Sequence, residues 1–506
     1  MGNFDINKSG GGQTGLVKEF ASGLGSNLVG KFFGRGIHVL SQILLANWLG
    51  PASFGLFSIG WNILRVIGVV APLGMDIGIL QFGAKQEKGS SARSALVITA
   101  VVISAVSGLV FGLVFWLLSP GLAAVFHKPD LATVLRVIVI AFPLNTLLRT
   151  SAAATRIDGK MAPSIWAEEL GQPISNLFLL ITLNLYGLDV LGAAWASTAS
   201  FGIGAGIGVI FNRFSFKRSA IIGMNKDQSR DLLRYSLPAA FATMFGSMIL
   251  LTDRIFVGVF LSEEDTGVYQ AISLFSVLFV TILVSINLIA APMVARYFAA
   301  NQHQELKKLY SISTKWVLHL CFPFLILIWV FPQSVIGSIY RESYVVGATT
   351  LVILAMAQLL NVLSGPVDQV LIMTGNQKDM LRITATVFVS NVIVNIVLVP
   401  IWGLNGAAVA TLIAFGSISS AGLYFVWRRI RVWPYDRSIW KVGAASGLAI
   451  LVAVLLRGQA ISQGLLGLIL SGLGIAGVYF GVIFVLGLDK EEKELLGMVS
   501  GRLQGN

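Results

Sequence analysis

Ser26-Asn-Leu-Val-Gly-Lys-Phe-Phe-Gly-Arg-Gly-Ile-His-Val-Leu-Ser-Gln-Ile-Leu-Leu-Ala-Asn47 is apolar and long enough to cross a bilayer, since about 20 residues rising 1.5 Å each cover the hydrocarbon core. Within it Asn27, Lys31, Arg35, His38 and Gln42 follow at steps of 4, 4, 3 and 4. Those steps stack them in one stripe along a helix. Phe33, Ile37, Leu40 and Leu44 form the opposite, lipid-compatible face. A charge inside a membrane costs on the order of 3 kcal/mol or more, so it faces water, a partner or a ligand. The stripe predicts a wet cavity beside this helix, with the other helices as its walls. The competing reading has Lys31 and Arg35 snorkelling to the headgroups.

The composition points the same way. Of 506 residues 55% are hydrophobic and 12% charged, where a soluble domain carries about 25% charged residues. Long apolar runs without period-two alternation select a helical bundle over a β-barrel. The net charge of +12 comes from Lys and Arg in the loops and does not signal nucleic acid. The single cysteine, Cys321, sits in an apolar run and reads as a small buried hydrophobe; no Cys-based metal site is expected. Residues 1–25 are polar and lack the apolar core of a signal peptide. Leu16, Val17, Phe20 and Leu24 fit a short amphipathic surface helix. Gly10 to Gly15 has the outer spacing of a phosphate-binding loop, but Leu16-Val17 stands where Lys-Ser/Thr is required.

Fourteen spans are expected: about 26–47, 54–82, 94–118, 131–154, 164–186, 190–211, 236–260, 267–294, 316–336, 346–373, 382–401, 404–427, 441–457 and 463–487. Pro72, Pro143, Pro238 and Pro366 are candidate kinks. With the N-terminus assigned to the cytoplasm, only Lys128, Arg341 and Arg457 of the 36 Lys and Arg fall on outer loops. Lys31, Arg35, Arg65, Arg136, Arg149 and Arg254 lie within spans, and the rest are cytoplasmic. So strong a bias supports an even number of helices with both ends inside.

The chain also repeats itself. Leu49-Gly-Pro-Ala-Ser-Phe-Gly-Leu-Phe57 matches Leu261-Ser-Glu-Glu-Asp-Thr-Gly-Val-Tyr269 at an offset of 212. Gly192-Ala-Ala-Trp-Ala-Ser197 matches Gly406-Ala-Ala-Val-Ala-Thr411 at 214. The repeat unit is six helices, and an even unit starts on the same side each time. The expected architecture is therefore an all-α polytopic membrane protein of two parallel six-helix lobes with a central site between them, plus two C-terminal helices. The domains are a cytoplasmic segment 1–25, a first lobe 26–211, a cytoplasmic loop 212–235, a second lobe 236–427, two further helices in 428–487 and a cytoplasmic tail 488–506.

The offset locates chemistry. Position 42 maps onto Arg254, and Thr243, Ser247, Leu250 and Arg254 form the stripe of the second lobe. Arg65, near the middle of its span, joins Lys31, Arg35 and Arg254 in a cationic lining, with His38 and Gln42 beside them. Arginine suits phosphate because its planar fork makes bidentate, charge-assisted hydrogen bonds; a di- or pyrophosphate is the natural guest. The rival for Arg65 is an ion pair with Asp76 or Asp368. Arg149 reads as a topology determinant and Arg136 as an interfacial anchor. Asp76, Asp253, Asp368 and the Glu168-Glu169 pair are the acids available to couple a proton or Na⁺; no spacing selects a metal ligand set. Gly202, Gly204, Gly206 and Gly208 read as helix packing. No nucleophile–base set stands out, so a transporter without a resident cofactor is expected, and no enzyme.

The Leu49–Phe57 stretch, its Thr-Gly-Val-Tyr269 echo after Thr252-Asp253-Arg254, and the Gly-Ala-Ala-x-Ala-Ser/Thr turns resemble the polysaccharide transport family. These are Wzx-type lipid-linked oligosaccharide flippases of the multidrug/oligosaccharidyl-lipid/polysaccharide (MOP) exporter superfamily. The resemblance covers roughly residues 20–430. It implies two lobes in a V, as in the MATE exporters, alternating between inward- and outward-open. It implies an oligosaccharide on undecaprenyl diphosphate as substrate, moved across the bacterial inner (cytoplasmic) membrane for surface polysaccharide assembly. Membrane lipids and polysaccharide polymerase or assembly proteins are the partners implied. Fourteen spans are closer to the lipid II flippases, but the Arg-rich second helix of those proteins is absent. A drug exporter of the same superfamily would favour an acidic or aromatic lumen, against the positive stripe here.

Overall fold

A computed structural model describes residues 12–88, 90–157, 161–187, 189–212, 226–248, 251–457 and 464–487; the side chains of 12–32, 226, 242 and 245–247 are outside that description. The described residues are helical, without a strand, as a hydrocarbon surrounding demands of a backbone that must satisfy its own polar groups. The helices are α1 (Gly12–Val70), α2 (Met75–Gly83), α3 (Ser91–Val125), α4 (Leu131–Ile138), α5 (Ala141–Arg156), a π-helical turn Ile165–Gly171 leading into α6 (Gln172–Asn184), α7 (Val190–Asn212), α8 (Lys226–Met248), α9 (Thr252–Phe260), α10 (Glu263–Ser273), α11 (Phe275–Ala299), α12 (His303–Val330), α13 (Pro332–Ile339), α14 (Ala348–Leu363), α15 (Val367–Met373), α16 (Gln377–Ile430), α17 (Ile439–Leu456) and α18 (Gly464–Val485).

Ten stretches among the described residues are long and apolar enough to cross a membrane. Phe33–Gly83, of 51 residues, and Gln377–Ile430, of 54, each have the length of two crossings. One glycine breaks each: Gly50 (φ 73°, ψ 171°) and Gly403 (φ 59°, ψ −135°). A side chain is disfavoured at such angles, so glycine alone makes these one-residue reversals cheap. Both fall between expected spans. The expected spans 164–186 and 236–260 are not among the ten. The first contains the π-helical turn, and the second is interrupted between Met248 and Thr252. The surface helix expected around Leu16 and Phe20 is continuous with the first span, since α1 is helical from Gly12.

The prolines act unevenly. Pro72 lies in the break between α1 and α2, and Pro366 immediately before α15. Pro143 follows the interruption at Val139–Ile140, where its ring would crowd the carbonyl four residues back. Pro238 lies inside α8, which is helical on both sides of it.

The chain divides into two compact units: Met1–Trp48 with Gly60–Met244, and Leu49–Ile59 with Phe245–Asn506. In the first, Met75, Ile79, Leu96, Ala100, Ala154 and Leu232 join α2, α3, α5 and α8 in one apolar cluster. Polarity is inverted relative to a soluble protein. Helix α3 buries Ser104, Ser107, Gly108 and Gly112 and exposes Leu109, Leu113 and Leu117. Small residues let membrane helices approach, and large apolar ones meet lipid. Ser104 donates to the Thr146 carbonyl at 3.2 Å and lies 2.7 Å from the Thr150 hydroxyl. Of the glycines in α7, Gly204 sits against the Ala167 carbonyl and Gly208 against Ser151.

The second unit has its core among α11, α12, α15 and α16, with Val294, Tyr310, Val370, Leu371, Val387 and Val426 buried. Helices α17 and α18 pack on each other and on α12. Two buried polar contacts tie them there. Lys315 of α12 reaches Asp436 at 3.1 Å and Ser438 at 3.0 Å, and His319 Nδ1 lies 2.9 Å from the Tyr479 hydroxyl. A buried ammonium needs such partners.

Candidate functional site

Helix α1 folds back on itself. His38 and Trp61 lie 23 positions apart, which in a straight helix is about 35 Å. Their rings are stacked with centroids 6.0 Å apart and planes at 24°. The two arms are therefore side by side and antiparallel. With His38 level with Trp61, Arg65, one turn further on, comes level with Gly34 and Arg35. Arg65 is exposed and Arg35 half-buried. The stripe on the first arm and the arginine of the second thus share a height within the first unit. Trp61 is itself backed by Phe201 of α7, at 5.9 Å, which fixes the ring that His38 meets.

The rest of the stripe is spread along the first arm. Gln42 is buried, and neither its side-chain oxygen nor its nitrogen has a partner among the described residues. An unmade hydrogen bond in a buried amide is costly. Lys31 is helical, but its side chain lies outside the described residues. Gly34 admits the π-helical turn: a β-carbon there would strike the Glu169 carbonyl. Single π-turns insert an extra residue into a helix and recur at functional sites. Here the turn carries Glu168 and Glu169 beside Arg35's own helix.

Arg254 stands in the second unit. It is half-buried, and its Nε has no partner among the described residues. The expected stripe from Thr243 through Ser247 and Leu250 to Arg254 is not one continuous helix, because α8 ends at Met248 and α9 starts at Thr252. The side chains of Ser247 and Leu250 lie outside the described residues.

The acids have partners that sequence reading missed. Asp76, offered above as a partner for Arg65, is held by Arg149: the guanidinium donates to Oδ2 at 2.6 and 3.2 Å. Arg149 is therefore half of a membrane ion pair rather than a mere topology signal. Arg156 lies 3.6 Å from Glu168 in the π-helical turn. Arg136 lies over the Trp116 ring at 5.4 Å. In the second unit Asp253 accepts hydrogen bonds from the Tyr269 hydroxyl at 2.7 Å, the Thr411 hydroxyl at 3.2 Å and the Arg254 amide at 2.8 Å. Tyr269 and Thr411 are the last residues of the two repeat motifs of the second half, so the signal was in view. In the first half Ser41, Phe57 and Ser197 take the three places, and no acid is among them. Asp368 meets Asn287 at 3.4 Å and Gln369 at 3.3 Å.

Known proteins share this plan. A curated protein of Haloferax volcanii, described as the probable low-salt glycan biosynthesis flippase Agl15, is 23% identical over 398 residues, covering 76% of this chain and 79% of its own. A solved structure of the lipid II flippase MurJ in an inward closed conformation superposes with a TM-score of 0.75 at 14% identity, covering 90% of this chain and 97% of its own. An inward-facing MATE-family multidrug resistance transporter of the MOP superfamily superposes with a TM-score of 0.62 at 16% identity, covering 78% and 94%. The two superpositions show the fold: this chain shares its helical fold with both structures. The sequence itself carries the lineage, for the model of one family matches residues 44–348, from the first helix through the second unit's α14 start. This chain belongs to the polysaccharide biosynthesis protein family.

Proposed function

We propose that the protein is a flippase that carries an undecaprenyl-diphosphate-linked oligosaccharide across the bacterial cytoplasmic membrane, from the inner to the outer leaflet. The observation that carries this reading is the folded-back α1, which brings Arg65 level with Arg35 beside His38. A diphosphate needs two or more cationic donors at one depth, and this hairpin supplies them within one unit. The isoprenoid tail stays in lipid, while sugar and diphosphate need a substitute for their hydration. A polar, cationic lumen provides it, and movement of the two lobes would expose that lumen to each side in turn. The glycan flippase relative supports the substrate class. Asp253, with its two hydroxyl donors, is the acid best placed to couple a proton or Na⁺, since protonation would rearrange two helices' contacts at once. The termini are assigned to the cytoplasm on the charge bias, and a non-enzymatic transporter is the reading throughout.

The test is thermal stabilisation of purified protein by undecaprenyl diphosphate at several salt concentrations, in wild type, Arg35→Ala and Arg65→Ala. Stabilisation that weakens with salt and is lost in both variants places the diphosphate at the hairpin. Unchanged stabilisation in both returns these arginines to structural or snorkelling roles. A cationic drug that stabilises while the diphosphate does not would move the assignment to an exporter.

A further inference from the structure

We infer that the end of α16 holds the phosphate headgroup of an acidic bilayer phospholipid, in a site separate from the transport lumen. A groove of about 560 Å³ opens where α16 leaves its span, lined by Ser420, Leu423, Tyr424, Trp427 and Trp433. The three aromatic side chains are each 40–49% exposed. Aromatic rings with one polar edge favour the membrane interface.

Two arginines stack on rings that line the groove. Arg428 stacks 6.0 Å from the Tyr424 ring centroid and donates to its hydroxyl at 3.2 Å. Arg431 lies over the Trp427 ring at 4.9 Å. Neither meets a carboxylate among the described residues. Their neighbour Arg429 does: it donates to Asp379 at 2.9 Å. A guanidinium stacked on a ring keeps its in-plane N–H donors free for phosphate oxygens.

The backbone gives an independent reason. Arg431 caps α16 in the left-handed conformation (φ 60°, ψ 30°), its N–H returning to the Trp427 carbonyl. Glycine or asparagine ordinarily takes this place. The conformation itself is explained by packing, since Ile430 and Val432 on either side are both buried. Glycine would serve that packing with less strain. The arginine is what glycine does not supply: a cation thrown back over Trp427. The charge bias assigns this loop to the cytoplasmic face, where acidic lipids concentrate.

Native mass spectrometry of the full-length protein in detergent tests this, with phosphatidylglycerol and phosphatidylcholine as probes. Wild type should bind one phosphatidylglycerol at least about tenfold more tightly than phosphatidylcholine, a difference of about 1.4 kcal/mol. Arg428→Gln/Arg431→Gly should lose that preference, while Lys378→Gln, an exposed cation in the first turn of α16, should keep it. Arg431→Gly alone should unfold no earlier than wild type without lipid, which separates headgroup loss from misfolding. Equal phosphatidylglycerol affinity in wild type and the double variant overturns the proposal. So does displacement of phosphatidylglycerol by undecaprenyl diphosphate in a one-for-one competition, which would assign the groove to the transported lipid. Neither outcome touches the hairpin reading, which is tested through Arg35 and Arg65.

Discussion

Gly55 and Gly267 pack backbone against backbone where α1 and α10 cross. A β-carbon on Gly55 would run into the Glu263 carbonyl and stand 2.7 Å from the Gly267 amide nitrogen. One on Gly267 would run into the Pro51 carbonyl and stand 3.0 Å from the Gly55 nitrogen. Gly55 and Gly267 are repeat partners at the offset of 212, and so are Pro51 and Glu263. The contact is thus reciprocal: each motif offers its glycine to the first carbonyls of the other's helix. Gly55→Ala or Gly267→Ala should destabilise by about 1–3 kcal/mol, the usual cost of overpacking. Gly36→Ala, where a β-carbon meets nothing within 4 Å, should leave the unfolding temperature in detergent unchanged.

The Asp76–Arg149 pair should behave as a unit. Asp76→Asn and Arg149→Gln each strand a charge within the membrane and should lower stability. The double variant should be more stable than the sum of the two losses predicts, by about 0.5–3 kcal/mol. A double-mutant cycle from unfolding curves measures this. Additive losses would return Arg149 to a role in topology alone.

Around Asp253 the shorter bond should matter more. Tyr269→Phe removes the 2.7 Å donor from a buried carboxylate, at a cost of about 1–3 kcal/mol. Thr411→Val removes the 3.2 Å donor and should cost less. If Asp253 couples an ion, both variants should also shift the pH or Na⁺ dependence of transport in vesicles. A stability loss with unchanged coupling would make the network structural.

Acid should loosen the joint between α12 and α17. Burial works to raise the pKa of the Asp436 carboxyl, but hydrogen bonds from Ser438, Ser311 and Lys315, with the Lys315 charge, hold it below the usual carboxylate range. A carboxyl with a lowered folded-state pKa contributes stability in full above its unfolded value, near 3.9, and loses it as pH falls through the folded value. Asp436→Asn should therefore unfold at lower temperature than wild type at pH 5 and above. The gap should narrow as pH falls below about 4. A gap that does not change with pH would remove Asp436 as the titrating group.

Much of the architecture was legible because a bilayer imposes simple rules. Apolar length placed Gly50 and Gly403 in turns between spans, and motif spacing paired Gly55 with Gly267 before any contact was visible. The paired acids were not legible. Asp76 and Arg149 are 73 positions apart, and no periodicity links them. The π-helical turn at Ile165–Gly171 was not legible either: the Glu168-Glu169 pair interrupts the apolar run there, but a single extra residue in a helix leaves no periodicity of its own.

By itself the sequence determined that this is a multi-pass helical membrane protein whose halves carry matching motifs at offsets of 212 and 214. Hydrophobic length, helical period and repeat offset are local or additive properties, so one dimension holds them. Only the tertiary structure decided which charges meet: Arg149 with Asp76, Lys315 with Asp436, Tyr269 and Thr411 with Asp253, and Arg65 level with Arg35. Those choices depend on which helix faces which and at what height. A shift of one residue turns a side chain by 100° around its helix, and no pattern in the chain alone sets that rotation.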